Sequence, residues 1–157
     1  MGSFVIRAED PRRDDVRTLL EQHLAFAREA TPVLEHAHAL DLDGLLDPSI
    51  TLYSLRLDGE LLGVGALRLI DEGHAEVKSM HTARAARGQG VGRAIVEHLL
   101  AVAQERGVAR VSLETGTMAE FAPARALYTS VGFVSCGPFG GYQASPDNTF
   151  MTITLPR

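Results

Sequence analysis

Arg87-Gly88-Gln89-Gly90-Val91-Gly92-Arg93-Ala94-Ile95 joins a strand-like segment to a helix through three alternate glycines. Upstream lies a short alternating run, His74 to Met80, and downstream a helical stretch ending near Arg106. The first turn of a helix carries backbone N–H groups without partners and a partial positive charge of roughly +0.5, so it attracts anions. Gly88, Gly90 and Gly92 leave those donors uncovered, and Arg87 and Arg93 add positive charge. The pattern suits a ligand that carries a pyrophosphate.

Two familiar phosphate loops do not fit. A Walker loop ends in Gly-Lys-Ser/Thr, and here no lysine or hydroxyl follows the glycines. The dinucleotide fingerprint is Gly-x-Gly-x-x-Gly at the first strand of a βαβ unit, whereas this spacing is Gly-x-Gly-x-Gly in mid-chain.

Outward from the loop, the chain reads as alternating strands and helices. Val91, Ile95, Leu99 and Val102 recur at helical spacing, and Gly107 is placed to end that helix. Val108 to Leu113 follows as a strand, and strand–helix–strand order demands a crossover that leaves the two strands parallel. Ile50 to Leu57 and Leu61 to Leu69 pair across Asp58-Gly59, and Ala75 to His81 returns across Asp71-Glu72-Gly73, with Glu76, Lys78 and Met80 on one face. Phe4 to Arg7 is a first strand, after which Asp10 and Pro11 suit the N-cap and first position of a helix bearing Val16, Leu19, Leu20, Leu24 and Ala27. Ala39 to Leu46 holds a short helix. Pro123 to Ser130 is another helix, stopped by Gly132, then come strands at Phe133 to Ser135 and Thr149 to Thr154, separated by a Gly- and Pro-rich loop from Gly137 to Asn148.

A chain of 157 residues suits one domain, long enough to bury roughly 68 to 70% of its unfolded surface. The net charge of -5 argues against a nucleic-acid partner, which would need basic patches. A lone cysteine, Cys136, excludes an internal disulfide and a cysteine-rich zinc site, and fits a reducing cytoplasm. No run approaches 18 apolar residues and the N-terminus lacks a signal pattern, so a soluble protein without a membrane partner is expected.

Arg87-x-x-Gly-x-Gly resembles the acetyl-CoA-binding motif of the GNAT superfamily of N-acetyltransferases. Ala75-Glu76-Val77-Lys78 stands at the usual distance before it. Ala124 to Phe133 is similar to the family's Ala-x-x-Leu-Tyr-x-x-x-Gly-Phe signature, and the motifs together span roughly half the chain. The resemblance implies an α/β fold: a mixed, mainly antiparallel sheet, splayed between its middle strands and flanked by helices on both faces. It implies acetyl-CoA as cosubstrate and direct acetyl transfer to a primary amine. The stretch Glu114-Thr115-Gly116 and the Gly137 to Asn148 loop resemble a bacterial, small-molecule-type subgroup, a likeness that says little about substrate; the acceptor expected is a small molecule or amino acid derivative. A protein acceptor, or a non-catalytic acyl-CoA-binding sensor, is the alternative.

By the same resemblance, the backbone of Met80, His81 and Thr82 would pair with the pantetheine arm. The amides of Gly88, Gln89, Gly90, Val91 and Gly92, helped by Arg87 and Arg93, would hold the pyrophosphate. An amine must be neutral to attack a thioester, and a lysine-like amine has a pKa near about 10.4, so a base helps. Several family members carry that base at the position of Glu76, which could equally be a strand-face acid paired with Lys78 or Arg68; Glu114, at the end of the next parallel strand, is its rival. Tyr128 matches the acid that protonates the leaving thiolate, against the alternative of a packed helix residue. Two positions depart from the pattern: Phe121 stands where many members have Asn, and Thr82-Ala83-Arg84 replaces Val-x-Pro. Cys136 has no neighbouring histidine in sequence, so a covalent acetyl-cysteine is not expected. His36 and His38 read as exposed or packed histidines, and no metal is implied. Homodimers are common in the family, but no seam for one is visible in this chain.

Overall fold

The computed structural model describes residues 2–156. Its strands are β1 (Phe4–Ala8), β2 (Ile50–Leu57), β3 (Glu60–Asp71), β4 (His74–Thr82), β5 (Arg110–Gly116), β6 (Val134–Cys136) and β7 (Asn148–Thr154). They form one sheet in the order β1-β2-β3-β4-β5-β7-β6. Every neighbouring pair is antiparallel except β4 and β5. The helices are α1 (Asp14–Ala30), α2 (Leu42–Leu45), α3 (Val91–Glu105) and α4 (Ala122–Val131).

Local chemistry accounts for most of these boundaries. Asp58 and Gly59 both take positive φ, 51° and 84°, as a two-residue hairpin turn requires if its twist is to match that of the flanking strands. Gly107, at φ 76°, ends α3, and the Val108 N–H then donates to the Ala103 carbonyl at 3.0 Å. That cap consumes Val108, so β5 begins at Arg110 rather than at Val108 as the apolar run suggested.

The start of α1 is also later than expected. Asp10 does not cap the helix: its Oδ1 accepts from the Arg12 N–H at 2.9 Å and its carboxylate binds the Arg12 side chain. This local turn satisfies Asp10 before the helix begins, and Arg13 becomes the cap residue. Downstream, Arg56 of β2 ties the β1–α1 connection to the first turn of α1, with Nη2 at 2.8 Å from Glu9 Oε1 and Nη1 at 2.7 Å from Asp15 Oδ2. The second helix is shorter than its apolar pattern, one turn capped by Asp41 Oδ1, which accepts from the Gly44 N–H at 2.9 Å.

Two apolar cores lie on opposite faces of the sheet. Val16, Leu19 and Leu20 of α1 and Leu45 of α2 pack on Leu52, Val64 and Ala66. Val91, Ile95 and Leu99 of α3 and Tyr128 of α4 pack on Leu67, Val77, Val111 and Leu113. Gly65 of β3 lets α3 come close, since a Cβ there would lie 2.6 Å from Ile95 Cγ2. The mixed, mainly antiparallel sheet with helices on both faces is therefore as expected. No helix among the described residues is long and apolar enough to cross a membrane.

Candidate active site

The two parallel strands separate in mid-sheet. β4 and β5 pair from His74 with Arg110 to Val77 with Leu113, and no further. The cause is a bulge in β4: Val64 and Ala66 of β3 face His81 and Lys78, so β4 has one residue more than its partner over that interval, and Ser79 takes φ 54°. A bulge bends the strand that carries it. His81 and Thr82 keep their β3 partners, and among the described residues the segment Met80 to Thr82 has no strand neighbour on its β5 side.

The bulge also corrects the face assigned to Met80. Glu76 and Lys78 point into the gap, but the extra residue shifts the alternation, and Met80 packs into the α3 core with its Sδ 2.6 Å from where a Gly65 Cβ would sit. His81 takes the cleft side instead, with its Nδ1 3.1 Å from His23 Nδ1 of α1.

A cleft of about 140 Å³ opens where the strands part, and Glu76, Lys78, His81, Glu114, Phe121 and Tyr128 are among its walls. Glu76 is almost wholly buried, and both of its oxygens face cations. Oε2 accepts from Lys78 Nζ at 3.1 Å and from the Tyr142 hydroxyl at 2.6 Å, while Oε1 lies 3.7 Å from Arg68 Nη1. Lys78 Nζ also donates to the Tyr142 hydroxyl at 2.5 Å. Glu76 thus has the ion-paired surroundings weighed for it from sequence.

Tyr142 was missed in the sequence, where it lies in a stretch readable only as loop. Gly140 and Gly141, at φ 55° and 88°, make the turn that carries it back under Glu76, and that glycine pair was the available signal. Burial, together with the negative charge of Glu76, pushes the Tyr142 phenol above its ordinary range.

Glu114 sits one residue past the last β4–β5 pair. Its Oε2 accepts from Asn148 Nδ2 at 2.8 Å, and among the described residues its other oxygen has no hydrogen-bond partner. Burial pushes its carboxyl up; the Asn148 hydrogen bond and the Lys78 charge oppose this without cancelling it. Asn148 Nδ2 also donates to the His36 carbonyl at 2.9 Å, and His36 Nδ1 lies 2.7 Å from Asp147 Oδ2. His36, taken from sequence as packed or exposed, therefore ties the segment after α1 to the start of β7, over the cleft.

Tyr128 enters from α4, through the gap between the strands. Its ring packs edge-on to Phe133, with centroids 5.8 Å apart, and among the described residues its hydroxyl has no hydrogen-bond partner. Burial, with the Glu114 charge adding to it, pushes the phenol well above its usual range, so it holds its proton. Phe121, in place of the expected Asn, stacks edge-on against Phe26 of α1 at 5.3 Å. Gly116 makes room for it, because a Cβ there would lie 2.3 Å from Phe121 Cδ2.

Past the end of β4, Gly88 and Gly90 take φ 80° and 83°, and a Cβ on either would meet no atom of the described residues within 4 Å. The space over the turn is open. The N–H groups of Val91, Gly92 and Arg93, in the first turn of α3, have no carbonyl of their own helix to bond. Gly92 plays a different part: a Cβ there would touch Leu127 Cδ2 at 3.0 Å, so its smallness lets α3 approach α4. The Arg87 side chain is exposed beside the turn. The Gln89 side chain donates to the Ala85 carbonyl at 3.3 Å, and the Arg93 guanidinium is turned to Ser130 Oγ at 2.5 Å and Glu97 at 3.3 Å. The residues present suit a pyrophosphate held by main-chain donors, with Arg87 as the neighbouring side-chain cation.

The His23–His81 pair makes a prediction about stability. Burial, with the His81 charge adding to it, lowers His23 to about 3, and burial lowers His81 to about 4. Both are neutral in the folded protein near pH 7 but titrate near about 6.5 once unfolded. Unfolding takes up protons between those values, so the pair's stabilising contribution is present above about pH 6.5 and falls away as pH drops towards about 4. Urea unfolding from pH 7 down to 4.5 should show this decline at up to about 1.4 kcal/mol per pH unit for each histidine. His23→Phe should remove its share; an unchanged slope would show that His23 is not buried in its neutral form.

Comparison with known proteins agrees with this geometry. The Acetyltransferase (GNAT) family matches over residues 14–133. The chain is 42% identical over 150 residues to the uncharacterised N-acetyltransferase YsnE of Bacillus subtilis (strain 168), covering 96% of this chain and 99% of that one. It is 40% identical over 152 residues to the uncharacterised N-acetyltransferase YedL of Escherichia coli (strain K12), covering 97% and 95%. A solved Klebsiella pneumoniae structure, assigned to an acyl-CoA N-acyltransferase, superposes with a TM-score of 0.81 at 29% identity over 97% of both chains. With the family profile spanning most of the chain and relatives matching nearly end to end, the chain belongs to the GNAT family and is an acetyl-CoA-dependent N-acetyltransferase.

Proposed function

We propose that the whole chain works as one domain that acetylates a small primary amine directly, with Tyr128 as acid and Glu114 as base. The observation that carries this reading is the gap beyond Val77 and Leu113, where a carboxylate with one unengaged oxygen and a phenol that holds its proton line one cleft.

Acetyl-CoA, when bound, supplies the activated acyl group. The amides of Gly88 to Arg93 and the Arg87 side chain hold its pyrophosphate, and the free backbone edge of Met80 to Thr82 takes the pantetheine arm as an added strand would. Glu114 removes a proton from the acceptor ammonium, and its raised carboxyl suits that task better than an ordinary one. Tyr128 gives its proton to the departing thiolate.

Glu76, the first choice as base on sequence grounds, fits another role better. With both oxygens facing cations or a phenol, it fixes Lys78 and Tyr142 in the cleft wall. A small acceptor is favoured because Asn148 and the His36–Asp147 pair bridge the two segments that overhang the cleft.

Tyr128→Phe tests the acid. Coenzyme A release with an accepted amine should fall about 100-fold, the low end of what a positioned acid contributes, while acetyl-CoA affinity measured by calorimetry stays within about twofold. Unchanged turnover would remove Tyr128 from the chemistry. Absence of thiol release with every amine tried, with tight binding retained, would favour a sensor.

A further inference from the structure

The cleft continues into a second, wider pocket of about 560 Å³ on the side away from the glycine turn, and Lys78, His36 and His38 border both. Arg68 and Gly140 to Ser145 complete its wall. Its charges are lopsided: Arg68 and Lys78 face it, and the acidic side chain on its wall, Glu35, is exposed. Glu76, behind the wall, is shared by both cations, and the further carboxylates that feel them, Asp47 for Arg68 and Glu114 for Lys78, form no ion pair with them among the described residues.

Hydrogen-bond capacity is left over as well. The Lys78 ammonium is buried and has three N–H donors, of which Glu76 and Tyr142 take two. Arg68 approaches Glu76 at 3.7 Å, beyond hydrogen-bond range, and among the described residues its guanidinium donates to no protein group. A planar fork with free donors beside a buried ammonium with one to spare is suited to a carboxylate. The spacing adds a size. Arg68, Glu76 and Glu114 lie on three successive strands, with neighbouring strands roughly 4.8 Å apart, so an anion at Arg68 and an amine at Glu114 fit within one small molecule.

We propose that the acceptor carries a carboxylate as well as its amine, a free amino acid or a short derivative of one, with the carboxylate held between Arg68 and Lys78. The proposal rests on the acetyl-transfer reading above and adds the class of substrate to it.

A matched panel tests it: the standard amino acids, each with its carboxamide and its decarboxylated amine, assayed by coenzyme A release. The expected result is turnover of at least one free acid, with kcat/KM at least about tenfold above that of its carboxamide, since hydrogen bonds to charged groups are the strong ones. Arg68→Gln should bring the acid-to-carboxamide ratio towards one, chiefly by raising KM for the acid, and Arg68→Lys should recover part of it. Equal turnover of acids and carboxamides, or an Arg68→Gln variant that slows both in proportion, overturns the carboxylate site while leaving acetyl transfer to small amines intact. Turnover confined to amines without a carboxylate does the same. A panel in which nothing releases coenzyme A overturns both readings.

Discussion

Gly90→Val should cost about 1 to 2 kcal/mol of folding stability and weaken acetyl-CoA binding about 100-fold or more. Two separable causes act at this position. The first is backbone strain: Gly90 takes φ 83°, and a β-branched residue there must adopt a left-handed conformation. A Cβ at Gly90 meets no atom of the described residues within 4 Å, so strain accounts for the cost to the protein without its cosubstrate. The second is loss of ligand approach. Hydrogen bonds to a charged group contribute about 1.5 to 3 kcal/mol each, and screening two amides removes about 3 kcal/mol or more, which is about 100-fold in Kd. Gly92→Ala is the contrasting variant. Its new methyl presses on Leu127 at the contact between α3 and α4, so stability should fall while affinity changes by less than about tenfold. Urea unfolding and calorimetric titration on both variants check this; a Gly90→Val protein that binds normally would mean the turn does not hold the diphosphate.

The second large effect is expected at Glu114. Glu114→Gln should lower kcat by about 100- to 10,000-fold, because positioned general bases contribute in that range. Glutamine keeps an oxygen for the Asn148 hydrogen bond, so the fold around the site should survive. The pH dependence carries a signature. Burial raises the Glu114 carboxyl, and the base must be ionised, so the acidic limb of kcat/KM should lie above the ordinary carboxylate value of about 4.3. In Glu114→Gln that limb should vanish, with activity recovering at high pH as the amine deprotonates unaided. Glu76→Gln should behave otherwise, lowering stability by leaving the buried Lys78 ammonium short of its counter-ion. If Glu76→Gln abolishes kcat and Glu114→Gln does not, the two carboxylates have exchanged roles.

The parts of the molecule set by local pattern were legible in the sequence. The Asp58-Gly59 hairpin, the period of α3 and the crossover from β4 to β5 follow from turn chemistry, helical spacing and chain connectivity. What stayed hidden depended on contacts distant in sequence. The bulge at Ser79, which sends the Met80 side chain into the α3 core, has no marker in the sequence, since serine seldom takes positive φ. His23 falls at helical spacing with Val16, Leu19, Leu20 and Ala27, but nothing local shows that the fold sets it against His81, 58 positions later. Tyr142 reaches Glu76 across 66 positions, through a loop whose glycines announce a turn but not its target. By contrast, the strand alternation already offered Lys78 and Arg68 as partners for Glu76, and the folded protein supplies both beside Tyr142.

Backbone amide resonances of ¹⁵N-labelled protein, followed while acetyl-CoA is added, give the most direct measurement. Gripping of the diphosphate by main-chain donors predicts the largest shifts at Gly88 to Arg93, with a second group at Met80 to Thr82 where the pantetheine arm lies along β4. Saturable binding that leaves both groups unmoved would contradict it.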